Sequence, residues 1–214
     1  QHSKPLYEFS YYSHINRNCE FFNQSDLIRG HAFRQIPPDG MILEFGVHQG
    51  ISTRYFSQAL KTANDERKII GFDNFRGLTE DWTGMSLDGG HQVRARFFNL
   101  QGKPSFTSDN VEYIVGDIEE TLGPFLQERD SSTIAFIHID TDTYTPAKVI
   151  LENCRPYLRP NSIILFDQLL GYPGYQFHEF AALNEIFDPH EYRFIGFGIA
   201  QEKSNLVKAA IQIN

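Results

Sequence analysis

Beyond residue 40 the apolar positions fall into short unbroken runs, at 41–45, 68–73, 111–115, 133–139 and 162–166. Between them lie longer stretches with apolar residues at helical spacing, near 51–62, 118–128, 146–157 and 176–187. Continuous apolar runs of this length, rather than strict alternation, mark strands covered on both faces. Two further strand-like segments, 193–199 and 205–213, close the chain with no helix pattern between them. Strand–helix alternation ending in a strand pair predicts a doubly wound α/β fold. Its sheet is mostly parallel, with one antiparallel strand at or near an edge.

Residues 1–39 read as an N-terminal extension of short helices, rich in aromatics such as Tyr7, Phe9, Tyr11, Tyr12, Phe21 and Phe22. Pro37-Pro38-Asp39-Gly40 ends it sharply. The domain proper is expected over 40–214. An insertion at 74–110 carries Trp82, Gly84, Gly89, Gly90 and His91. A loop that long in a compact domain predicts a lid, with Phe75 and Trp82 supplying apolar contact. The N-terminal aromatics are expected to complete that cover or to make a homodimer contact.

Composition narrows the function. With 41% hydrophobic and 21% charged residues, the 214-residue chain is globular rather than disordered. A net charge of −8 without a Lys/Arg cluster argues against a nucleic-acid partner. No apolar run approaches the roughly 20 residues that cross a bilayer, and no secretory leader is visible. Cys19 and Cys154 are far apart without metal spacing. They are expected as reduced thiols in a cytoplasmic protein.

In such a sheet, ligands bind beyond the carboxyl ends of the strands, so chemistry is sought there. The first strand leads into Glu44-Phe45-Gly46-Val47-His48-Gln49-Gly50-Ile51-Ser52. Gly46 permits a tight turn, and Gly50 allows a ligand close to backbone at a helix start. The third glycine of the nicotinamide fingerprint is missing. An acidic residue two positions before the first glycine fits S-adenosylmethionine (SAM) instead, with Glu44 placing its amino-acid end. Asp73, ending the second strand about 20 residues further on, is positioned for the ribose hydroxyls. Gly116-Asp117 ends the third strand, where Asp117 either meets adenine or caps a helix. The fourth ends at Asp140-Thr141-Asp142 and the fifth at Asp167-Gln168. Neighbouring carboxylates repel, and an oxygen-only set of Asp140, Asp167 and Gln168 suits Mg²⁺. The alternative gives Asp140 to SAM and Asp167 to a cap or the substrate, without metal.

These segments resemble class I SAM-dependent methyltransferases, and more closely the macrocin O-methyltransferase family. The resemblance runs from about Met41 to Glu185. It is carried by LEFGVHQGIST at 43–53, GFDNFRGLTEDW at 71–82, NVEYIVGDIEETLGPFL at 110–126, HIDTDTY at 138–144 and ILFDQLLGYPGYQFHEF at 164–180. It implies a Rossmann-like seven-stranded sheet, SAM as methyl donor, and O-methylation of a sugar or secondary-metabolite hydroxyl. The expected cofactor residues are Glu44, Gly46, Val47, Gly50, Ser52, Asp73, Phe75, Gly116, Asp117 and Asp140. The resemblance assigns metal to Asp140 and Asp167. Where the family generally has a second acidic residue, this chain has Gln168, which removes one negative charge. An amide also stands at the similar place in catechol O-methyltransferase, which keeps metal use open.

Methyl transfer is an in-line displacement, so alignment supplies much of the acceleration. A metal lowers the pKa of the acceptor hydroxyl and orients it. His178 is the first candidate for general base, beside Asp140; the competing role for His178 is shaping the pocket. His138, inside a strand, reads as a supporting core residue, His48 as part of the cofactor turn, and Tyr144 as a pocket or packing aromatic. Three rival readings remain: metal-independent N- or O-methylation, a nicotinamide-dependent oxidoreductase, and a catalytically silent SAM-binding partner.

Overall fold

The computed structural model describes residues 19–82, 94–200 and 206–214. Among these described residues, eight strands form one sheet: β1 Glu20–Phe22, β2 Met41–Phe45, β3 Ile69–Asp73, β4 Val111–Val115, β5 Ile134–Ile139, β6 Leu158–Leu170, β7 Tyr192–Ala200 and β8 Leu206–Ile213. Five α-helices accompany them among the described residues: α1 Leu27–Phe33, α2 Ile51–Thr62, α3 Ile118–Gln127, α4 Tyr144–Cys154 and α5 Glu179–Ile186. The strand order is β1-β7-β8-β6-β5-β2-β3-β4. β8 runs antiparallel to both neighbours, and all other pairings are parallel.

Two expectations change. The sheet has eight strands rather than seven, because Glu20–Phe22, read as part of a helical extension, pairs with β7. The segment 19–39 also belongs to the core. Ile28, Ala32 and Phe33 of α1 pack with Phe56 of α2 and with Ile42, Phe136 and Ile195 of the sheet. A three-residue strand and a seven-residue helix are too short for their periodicity to show in sequence. Tyr7, Phe9, Tyr11 and Tyr12 lie outside the described residues, as do Gly84, Gly89, Gly90 and His91 of the insertion.

Strand alternation sorts the side chains into two cores. Leu43, Phe45 and Ile137 face α3, α4 and α5, whereas Ile42, Phe136 and Leu165 face α1 and α2. Covering both faces is why the strands read as unbroken apolar runs. Cys154 is buried, Cys19 is half-buried, and both are free. No helix among the described residues is long and apolar enough to cross a membrane.

β6 differs most from the sequence reading. Expected over 162–166, it runs over 13 residues: it starts at Leu158, beside Ile134 of β5, and continues to Leu170 past the end of β5, where β8 still pairs with it. Phe166 pairs with Ala209, but Leu170 pairs with Val207, so β6 carries extra residues opposite Lys208. Such a bulge re-aims side chains. Asp167 and Gln168 would point to opposite faces of a regular strand, yet both line the same cleft.

The described ends of the insertion, 74–82 and 94–102, fold back on each other. Leu78 N–H donates to Phe97 O and Arg96 N–H to Leu78 O, while Ala95 N–H bonds to the Asp81 carboxylate. Trp82 is buried against Tyr172 and Leu206. Phe75 is buried as well, edge-on to Tyr113.

Candidate functional site

A cleft of about 520 Å³ opens at the carboxyl ends of β2, β3, β5 and β6. That volume lies within the roughly 300–1,000 Å³ of small-molecule sites. One half is built on the β2–α2 turn, the other on Asp140, Asp142, Asp167, Gln168 and Lys208.

The turn explains its glycines. Gly46 has φ +83°, and a Cβ there would lie 1.9 Å from the Asp140 carbonyl oxygen. Gly50, at φ +73°, precedes α2, and a Cβ there would press on Phe106 at 2.7 Å. Asp73 ties the turn together. Its Oδ2 accepts N–H bonds from Val47 and His48, each 2.8 Å, and Oδ1 accepts from Phe75 N–H at 2.6 Å. A carboxylate oxygen has two lone pairs, so Oδ2 is filled and Oδ1 retains capacity for one further donor such as a ribose hydroxyl. Asp73→Asn would turn an amide N–H toward one of these backbone donors. We expect a loss of about 2 kcal/mol in urea unfolding, together with weaker SAM binding in calorimetry. Unchanged values in both would show that the carboxylate does not organise the turn.

The remaining expected cofactor residues fall into two groups. Gly46, Asp73, Gly116, Asp117 and Asp140 line the cleft. Asp117 makes no side-chain cap to α3 and instead accepts a 2.8 Å bond from Asn74 Nδ2. Glu44, Val47, Ser52 and Phe75 lie beneath. Val47 packs on Gly71, and Ser52 Oγ donates to Glu44 Oε1 at 2.5 Å. Their side chains support the turn rather than face the cleft.

Glu44 begins a buried row that the sequence reading did not assemble. Register places Glu44 beside His138, and Asp167 two residues beyond Leu165, the partner of His138. Lys208 lies two residues before Ala210, the β8 partner of Leu165. The row Glu44, His138, Asp167, Lys208 thus crosses β2, β5, β6 and β8 on one face, alternating in charge. His138 Nδ1 is 3.1 Å from Glu44 Oε1, and its Nε2 is 3.9 Å from Asp167 Oδ1. Lys208 Nζ donates to Asp167 Oδ1, and Arg29 of α1 stands 3.9 Å from the same oxygen.

The charges follow from these neighbours. Burial disfavours the imidazolium of His138, but flanking Asp167 and Glu44 outweigh it and push its pKa up to about 9. Asp140 is pushed up to about 7 by burial and by the charge of Asp167. Burial and the same crowd of carboxylates raise Asp142 and Glu179. Asp167 goes the other way. Burial would raise it, but Lys208 and His138 hold it well below the ordinary carboxylate range. Asp142 also adopts φ +63°, a conformation costing a non-glycine residue about 1 kcal/mol or more. An excess of buried carboxyl groups suits a cationic ligand, and SAM carries a sulfonium.

The expected metal residues Asp140, Asp167 and Gln168 line the cleft together. His138, Asp140 and Asp167 also each bring a ligand atom within 4.8 Å of the others, a candidate triad that adds His138. Fit to Mg²⁺ is poor in this arrangement. Asp167 already holds the Lys208 ammonium and lies near the Arg29 guanidinium. At an effective dielectric constant near 20, unit charges 4 Å apart repel by about 4 kcal/mol, and a dication doubles this.

His178 is not among the residues lining the cleft. It sits at the start of α5, its ring stacked on Tyr172 at 5.9 Å, and burial lowers its pKa. Tyr144 turns to the α5 surface, where its hydroxyl donates to Glu185. His48 lines the cleft edge-on to Phe98. Lys208 and Arg29 escaped sequence reading because no spacing links them to Asp167.

Comparison with known proteins agrees with this geometry. Residues 43–169, more than half of the chain, match the family model described as a methyltransferase domain. No curated protein matches the chain. Among solved structures, CalS11, a calicheamicin methyltransferase, superposes with a TM-score of 0.65 at 24% identity, covering 87% of this chain and 77% of that one. A second CalS11 structure, described as a TDP-rhamnose 3'-O-methyltransferase, gives 0.59 at 23% identity over the same shares. The O-methyltransferase NovP gives 0.60 at 18% identity, covering 88% and 78%. These likenesses establish the fold. Together with the family match over 43–169 and a cleft at the strand ends, they show that the chain belongs to the methyltransferase-domain family and is a SAM-dependent methyltransferase.

Proposed function

We propose that this enzyme methylates a hydroxyl group of a sugar or a glycosylated secondary metabolite. The observation that carries this reading is the polarity of the acceptor half. Asp140, Thr141, Asp142, Asp167, Gln168 and Lys208 line it together, an array of donors and acceptors suited to a polyhydroxylated substrate. CalS11 and NovP, which share the fold, are both described as O-methyltransferases.

SAM, when bound, supplies an electrophilic methyl group. Gly46 and the N–H-bonded Asp73 shape the donor half, and the cofactor's amino-acid end is assigned to the turn above Glu44. Asp140 lies at the junction of the halves, since its carbonyl is what closes on Gly46. With a pKa of about 7, its carboxylate can take up the acceptor proton near neutral pH. Trp82, buried in the cleft wall, excludes water from one side. His178, expected as the base, is assigned to the support of Tyr172 instead. No step is routed through a metal.

The test pairs binding with turnover. Calorimetry should show heat with SAM and S-adenosylhomocysteine and none with NAD. A panel of nucleotide sugars and glycosides should then yield S-adenosylhomocysteine and a methyl ether. Methylation on nitrogen would replace hydroxyl transfer with the amine reading. SAM binding without turnover on any acceptor would favour the silent partner.

A further inference from the structure

We propose that Lys208 is the fixed cation of the acceptor half, serving in place of a divalent metal. Three observations converge on it. Lys208 Nζ donates to Asp167 Oδ1, the carboxylate that a metal would need. Gln168, beside it, lacks the second negative charge of an oxygen-only Mg²⁺ set. The β6 bulge opposite Lys208 turns Asp167 and Gln168 into the same cleft that Lys208 lines, so the cation, its counter-ion and an amide meet in one place.

The chemistry is that of a positioned ammonium. Nζ has three N–H groups, and Asp167 takes one. Asp26, 4.0 Å away, is beyond hydrogen-bond range. The rest can serve an acceptor oxygen in the cleft. In the transfer, a lone pair of that oxygen forms the new C–O bond. The S–CH₃ bond breaks with its electrons passing to sulfur, and the hydroxyl proton passes to the Asp140 carboxylate, which lines the same cleft. An adjacent ammonium stabilises the negative charge left on the oxygen as its proton departs, and so favours the nucleophilic form. Unlike Mg²⁺, it needs no loading, because β8 carries it into the site. Arg29, 3.9 Å from Asp167 Oδ1, adds to the positive charge that repels a dication.

The proposal rests on reading the cleft as a methyl-transfer site, and the experiment separates the two. Mn²⁺ serves as the probe, followed by electron paramagnetic resonance, with SAM calorimetry on the same samples. The wild-type protein should bind SAM and leave the free Mn²⁺ signal unchanged at millimolar metal. Lys208→Met, which empties the position, should bind Mn²⁺ more tightly by about an order of magnitude. Lys208→Arg, which keeps the charge, should behave as wild type. A structural role alone would not create metal affinity. Mn²⁺ binding by the wild type with SAM heat intact overturns the proposal. So does a folded Lys208→Met, or Lys208→Gln as the second variant, that gains no affinity. Wild-type protein with no SAM heat overturns the reading of the cleft, and the proposal with it. The wild-type titration decides the matter even where a variant fails to fold.

Discussion

Gly46→Ala abolishes SAM binding and destabilises the protein by about 3 kcal/mol or more. Two independent costs combine. The backbone at Gly46 has φ +83°, where alanine is strained. The added Cβ would lie 1.9 Å from Asp140 O and 2.7 Å from Asp140 C, both backbone atoms. Neither strand end can yield cheaply. Gly46 N–H donates to Phe72 O at 3.0 Å, and Asp140 N–H donates to Phe45 O at 2.9 Å. Relief requires prising β2 from β5 where the cofactor turn starts. Urea unfolding and SAM calorimetry check both parts. Gly123→Ala is the control, because a Cβ at that α3 position meets nothing within 4 Å. It should bind SAM normally and gain up to about 1 kcal/mol from helix propensity. Wild-type SAM affinity in Gly46→Ala would mean that the turn is not the donor site.

The second large effect is a loss of stability as pH rises from neutral to about 9. His138 is fully buried between Glu44 and Asp167. Its folded pKa of about 9 lies above the ordinary 6.5. Its contribution is therefore complete below pH 6.5 and disappears as pH passes through 9. A shift of that size corresponds to about 3 kcal/mol. Asp140 acts in the same direction over a lower window, from 3.8 to about 7, because its folded pKa is also raised. Asp167 opposes them at the acid end. Its depressed pKa gives stability above 3.8 that is lost only in strong acid. Unfolding of ligand-free protein at pH 6 and again above pH 9 measures the alkaline limb. His138→Gln keeps a hydrogen-bonding group beside Glu44 but does not titrate, so the limb should flatten. A limb as steep as wild type in His138→Gln would assign it to other groups.

Most of the donor half was legible in the chain. The turn from Glu44 to Ser52, Asp73 and Gly116-Asp117 each follow a strand that shows as a short apolar run, and each stands near its expected place. Local rules suffice there, because a strand, a tight turn and a helix start are fixed by residues close in sequence. The fourth strand likewise leads to Asp140. The weaker readings fall on elements with little periodicity of their own. β1 is three residues long, and its pairing is decided by β7, far along the chain. His178 was favoured for its place after the fifth strand, but the break between a 3₁₀ turn at Tyr175–Phe177 and α5 sends its ring to Tyr172.

By itself, then, the sequence determined the fold class, the strand ends around which the cleft opens, and the methyltransferase family. Only the tertiary structure decided the electrostatics of the acceptor half. Glu44, His138, Asp167 and Lys208 come from four strands and meet through the sheet's register. The bulge that turns Asp167 and Gln168 the same way exists because β8 pairs with β6 beyond the end of β5. Coulomb energy depends on distance in space, whereas motif reading follows distance along the chain. An ammonium placed 41 residues from its carboxylate leaves no trace in local sequence.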